Sequence, residues 1–197
     1  MRTLSFISLV SLLLLLACTE EPSGPGDSGQ KTTAADSIEA EPPQYVIRQS
    51  RFYHLVPGEP LADADDRLER SIMNDGEGSF TIYRIRGEEG EEIGFVVPSV
   101  NDSLLIGDIH VTTPTAATEG DIRVGHRFAR LRIAYPKVEV KGSEIEGRTY
   151  AYTRNKAFRL KGYTSTEQEI DKEEVPADIR ISEIIIMEQV RSAPLEI

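Results

Sequence analysis

Apolar and polar positions follow three regimes along this chain of 197 residues. Leu4 to Leu16 is apolar, broken only by serines, and closes on Ala17 and Cys18. Thr19 to Pro43 is almost devoid of apolar side chains. From Gln44 onward, short apolar runs recur between Gly, Pro and charged clusters, the pattern of one folded domain rich in strands.

Within that last regime the spacing predicts two short helices. Leu61, Ala64, Leu68 and Ile72 fall at i, i+3, i+7 and i+11, after Gly58 and Pro60, with Asp63, Asp65 and Asp66 in the early turns. A helix start favours proline and acidic residues. Phe128, Leu131 and Tyr135 fall at i, i+3 and i+7, and Pro136 ends that run. Before it, Ile122 and Val124 read as a short strand turned by Gly125.

Strand-like runs follow each helical pattern. The first set is "SFTIYRI", "EIGFVVP" and "LLIGDIHVTT"; the second is "KVEVKGS" leading into "RTYAYT", then "AFRLKGY" and "ISEIIIM". The four consecutive apolar residues Ile184 to Met187 predict a central strand buried on both faces. The predicted fold is α+β: two short helices packed on a largely antiparallel sheet, with a β-α-β-β-β unit stated twice. Gly58 and Gly125 stand 67 residues apart as the matching turns of the two copies.

The two earlier regimes bear on location. Arg2 supplies a positive start, the apolar run is shorter than the ~20 residues a membrane span needs, and Ala17 is the small residue of a cleavage site. Residues 1–17 therefore read as an export signal. Leu15-Leu16-Ala17-Cys18 resembles the lipobox of bacterial lipoproteins. That resemblance implies acylation of Cys18, the only cysteine, cleavage before it, and attachment to a membrane through two or more acyl chains. Thr19 in place of aspartate favours the outer membrane by analogy; which leaflet stays open. Residues 18–43 then form an acylated cysteine with an acidic spacer of four prolines and three glycines, too polar to order itself. Its reach is roughly 25–30 Å. The single globular domain is placed at 44–190, with a short tail at 191–197.

Charge narrows the partners. The formal net charge is −11, of which the spacer holds −5, leaving about −7 for the domain once the leader is removed. That sign argues against nucleic acid and against broad adhesion to anionic lipid. With its one thiol acylated, the domain forms no internal disulfide.

The segment "TPTAATEGDIRVGHRFARLRIAYP" carries a family resemblance. Asp108–Pro136, with weaker correspondence over Phe80 to Met187, resembles a bacterial domain-of-unknown-function family typified by the sigma-E-regulated outer-membrane lipoprotein. The resemblance implies an envelope location and a strand-rich fold, and it transfers no catalytic residue, ligand or cofactor. The long acidic spacer departs from that family.

Candidate chemistry is sparse. His54, His110 and His126 are far apart in sequence and match no metal-ligand spacing. No phosphate loop, dinucleotide fingerprint or nucleophile elbow is present, and "DADD" at 63–66 and "NDGEG" at 74–78 lack calcium-loop spacing. No cofactor is expected. One basic stretch, "RVGHRFARLR", places His126, Arg127 and Arg130 at the start of the second predicted helix, a candidate site for an anion or a partner. The alternative is a solvated helix face paired with the domain's carboxylates. Function reads as a non-enzymatic, lipid-anchored envelope protein that binds a partner protein or supports an envelope process, with a hydrolase-like enzyme of dispersed carboxylate or His site as a third, lower-ranked reading. The second reading is a binder of a small or anionic ligand in a cleft between the two copies, lined by aromatics such as Phe95, Tyr150 and Tyr152.

Overall fold

The computed structural model describes residues 41–64, 66–75, 78–143 and 147–189, all within one compact unit spanning Glu41–Ile197. The leader 1–17, Cys18, the spacer up to residue 40, Asp65, Gly76, Glu77 and the tail 191–197 lie outside the described residues.

Eight strands build one antiparallel sheet. Leu68–Asp75 (β3), Gly78–Arg86 (β4), Glu92–Pro98 (β5) and Ile106–Val111 (β6) follow one another as a meander. Glu139–Gly142 (β8), Thr149–Tyr152 (β9), Lys156–Leu160 (β10) and Ile181–Ile186 (β11) form a second meander. The two join where β6 pairs with β11, Ile184 opposite Val111 and Ile186 opposite Ile109. The strand order is β3-β4-β5-β6-β11-β10-β9-β8. A smaller sheet sets Tyr45–Arg48 (β1) between Arg51–Phe52 (β2), antiparallel, and Ala116–Thr118 (β7), parallel.

Strand alternation decides where the core lies. Ile109 and Val111 face inward while His110 between them does not, as a two-residue period requires. One cluster joins the inner face of the large sheet (Ile85, Val96, Ile109, Phe158, Ile184) to Tyr45, Ile47 and Phe52 of the small sheet and to Phe128 and Leu131 of the helix Phe128–Ala134 (α1). Each fully buried side chain of this kind is worth roughly 1.5–3 kcal/mol. The central position of β11 agrees with its apolar run: Ile184, Ile185 and Ile186 are all buried.

The expected α+β architecture of two helices packed on a sheet is not what forms. The domain is mostly β, with one α-helix among the described residues. The helix predicted from Leu61 to Ile72 is a single 3-10 turn at Leu61–Asp63, followed by β3. Leu68 and Ile72 are four residues apart, a spacing that suits one face of a helix and one face of a strand equally. The tie is broken by partners: all eight residues of β3 pair with β4, from Leu68 opposite Ile85 to Asp75 opposite Gly78. The aspartates before β3 favour turns over helix interiors. Ile72, the intended core residue of that helix, is 63% exposed. Leu61, Ala64 and Leu68 still pack on the core without being helical.

The short strand expected at Ile122 and Val124 is also absent. Ile122 is buried in a turn instead, its N–H donating to Thr118 Oγ1 at 3.0 Å and its carbonyl accepting from Thr118 N–H at 2.9 Å. The first half therefore lacks the β-α-β-β-β unit, and in the second half the strand ahead of α1 is not Ile122–Val124 but β7, which belongs to the small sheet. The second predicted helix does form, ending at Ala134 just before Tyr135 and Pro136.

Candidate functional site

A groove of about 1040 Å³ opens where five segments meet: the β1–β2 turn, the turn after β7, the end of α1, the β9–β10 turn and Gln189 beyond β11. One wall is the helix exit, Ala134, Tyr135, Pro136 and Val138. This wall exists because Pro136 cannot continue α1, so the chain leaves the helix in an irregular, largely apolar path. The opposite rim is fastened by Asn155, whose Nδ2 donates to Gln49 O at 2.8 Å and to Ser50 Oγ at 3.1 Å. That amide ties the β9–β10 turn to the β1–β2 turn, where Gln49 holds a left-handed φ of 42°.

Lys156 lines this groove from the first position of β10. Its parity with Phe158 and Leu160 turns it to the core side of the sheet, and it is only 5% exposed. Its Nζ donates to Asn155 Oδ1 at 3.3 Å, and it makes no ion pair among the described residues. Burial depresses its pKa below the ordinary lysine value, an effect that the charge of Glu119 opposes in part. Glu119 shares the groove, and its Oε2 accepts Gln49 N–H at 3.3 Å. Lys137 and Arg154, both exposed, complete the lining charges. Three cations against one carboxylate make the groove locally positive in a chain of net charge −11.

The structure places the residues singled out from the sequence elsewhere. Arg127 is the N-terminal cap of α1, with an exposed side chain. The first two amides of that helix are taken by the chain itself: Phe128 N–H donates to Ile179 O at 2.7 Å and Ala129 N–H to Ala177 O at 3.0 Å. The donors that make a helix start receptive to anions are thus occupied. Arg130 pairs with Asp121, and Arg132 with Glu173. His126 closes a local turn, its Nδ1 accepting Arg123 N–H at 3.2 Å. His126, Arg127 and Arg130 stand outside the groove.

Phe95, Tyr150 and Tyr152 do not line the groove either. They stand half-buried on the outer face of the large sheet, where cross-strand pairing sets Phe95, His110, Ile185, Ala157 and Tyr152 in one row. Phe95 stacks on His110 at 4.4 Å between ring centroids, and His110 Nδ1 lies 2.8 Å from Glu183 Oε1. No group of His, Cys, Asp and Glu able to hold a metal occurs among the described residues. No helix among them is long and apolar enough to cross a membrane.

Sequence reasoning missed Lys156. The signal was present but weak: a lysine inside the strand "KAFRL", at the same parity as Phe158 and Leu160, occupies a position where a core side chain is expected.

These features define a mostly β domain with an open, cation-lined groove at one corner. No protein-family model and no curated protein matches the chain. Among solved structures it is similar to the uncharacterised protein yfeY from Escherichia coli, with a TM-score of 0.47 and 15% identity, over 72% of this chain and 98% of that one.

Proposed function

We propose that this chain is a non-enzymatic, lipid-anchored lipoprotein of the bacterial envelope whose domain is a ligand-binding module, with the groove at Lys156 as its site. Support for the anchor comes from Leu15-Leu16-Ala17-Cys18 at the end of an apolar leader too short to span a bilayer. The resemblance to a lipoprotein family of unknown function belongs to the same reading. The observation that carries the binding role is the groove itself. Its volume sits at the top of the roughly 300–1000 Å³ range of ordinary small-molecule pockets, one of its walls is apolar, and its charge runs against that of the chain. Protein docking stood first on the sequence alone; the groove favours a small ligand.

Native mass spectrometry of the chain purified from membranes tests the module. A bound small molecule that is lost on Ala134→Trp, which fills the groove from its apolar wall, is the expected result. Absence of an adduct, or one indifferent to that substitution, refutes it. For the anchor, Cys18→Ser is expected to abolish lipid labelling and release the chain from membranes, and unchanged retention counts against it.

A further inference from the structure

A charged side chain removed from water is costly unless another charge meets it. Lys156 is 5% exposed, and among the described residues the one hydrogen bond its ammonium makes is to the neutral amide of Asn155. Three donors on an ammonium have room for more than that one acceptor. Glu119, the carboxylate in the same groove, makes no ion pair with it. A built ion pair places a carboxylate within hydrogen-bond distance, as the surface pairs of Arg84 with Glu92 at 2.5 Å and Arg86 with Glu69 at 2.6 Å do; buried Lys156 has no such carboxylate among the described residues. Lys156 thus lines an open groove with Asn155 as its hydrogen-bond partner and with Glu119 acting on it only through its charge at longer range.

The rest of the lining indicates what brings the anion. Lys137 and Arg154 stand at the groove with no carboxylate partner among the described residues, adding attraction for an acid. Ala134, Tyr135, Pro136 and Val138 offer an apolar wall that a bare inorganic ion would leave uncovered. We infer that the groove takes an amphiphilic organic anion, whose acid head pairs with Lys156 while its apolar body lies along the Ala134–Val138 wall. This rests on the groove being the binding site, and it adds the chemical class of the ligand and the residue that selects it.

Three probes separate head from body: octanoate, octanol and acetate, each titrated calorimetrically into the full chain and its variants. Octanoate is expected to bind at least tenfold more tightly than either of the others. Lys156→Met is expected to weaken octanoate at least tenfold and leave octanol unchanged. Arg154→Glu, at an exposed position, is expected to weaken octanoate several-fold and leave octanol unchanged. Equal binding of octanoate and octanol, both blocked by Ala134→Trp, would keep the groove as a binding site and overturn the assignment of an acid head to Lys156. Octanoate binding unaffected by Lys156→Met would overturn it equally. If Ala134→Trp changes the binding of none of the probes, the groove is not the site and both readings fall.

Discussion

Replacing Gly94 with alanine tests the strand packing on which the site depends. Gly94 sits in β5 opposite Val111 of β6, on the core side of the central strands. A Cβ at this position would lie 2.1 Å from His110 O, 3.1 Å from His110 C and 3.2 Å from Val111 Cα. Ordinary contact begins near 3.4 Å, and the offending atoms are backbone, so no side chain can swing aside. The two strands must move apart by more than an ångström, which lengthens the neighbouring ladder bonds beyond useful range. Losing one or two buried backbone bonds costs about 1–3 kcal/mol each, so Gly94→Ala is expected to destabilise the domain by about 3 kcal/mol. For a chain of this size that is a fall in melting temperature of roughly 6–12 °C. Thermal melts followed by circular dichroism measure it directly. A change below 2 °C would mean that β5 and β6 are not in this register, and the row through His110 and Ile185 would be misplaced with them.

Other consequences are as definite. Phe158→Ala is expected to cost about 3–5 kcal/mol in chemical denaturation, because that ring is fully buried beside Tyr135. Ile72→Ser is expected to change stability by less than about 0.5 kcal/mol, since Ile72 is mostly exposed on β3; a large loss would restore the helix that the sequence suggested. Lys156→Met is expected to stabilise the ligand-free domain by about 1–2 kcal/mol, the desolvation cost of a poorly satisfied buried group. The same substitution carries a pH signature. Because the folded-state pKa of Lys156 is depressed, the unfolded chain binds its proton more readily, and wild-type stability rises with pH between the folded value and the ordinary lysine value of 10.5. The advantage of Lys156→Met is therefore largest below that window and fades as pH climbs through it; an advantage that grows with pH would contradict the burial argument.

Much of the strand pattern was legible because alternation and turn residues are local signals. "EIGFVVP" became β5, "ISEIIIM" contains β11, and Pro136 ended α1 where proline must. The segment 61–72 was misread because Leu68 and Ile72 satisfy both periods, and the deciding pairing with β4 is not written in the segment itself. The basic stretch after Arg123 looked receptive to anions because its amides appeared open. Their acceptors, Ile179 and Ala177, lie about fifty residues further on and come into contact only through the fold. Lys156 was passed over for the same reason. Its burial follows from its parity on β10, and the groove beside it is assembled from five segments distant in sequence.

The most direct test of the central claim is a co-crystal structure of the chain with octanoate. The account predicts the carboxylate within about 2.7–2.9 Å of Lys156 Nζ, the range of a charge-assisted bond, with the alkyl chain against Tyr135 and Val138. A carboxylate in solvent, or an alkyl chain bound elsewhere while Lys156 keeps Asn155 as its sole partner, would contradict it.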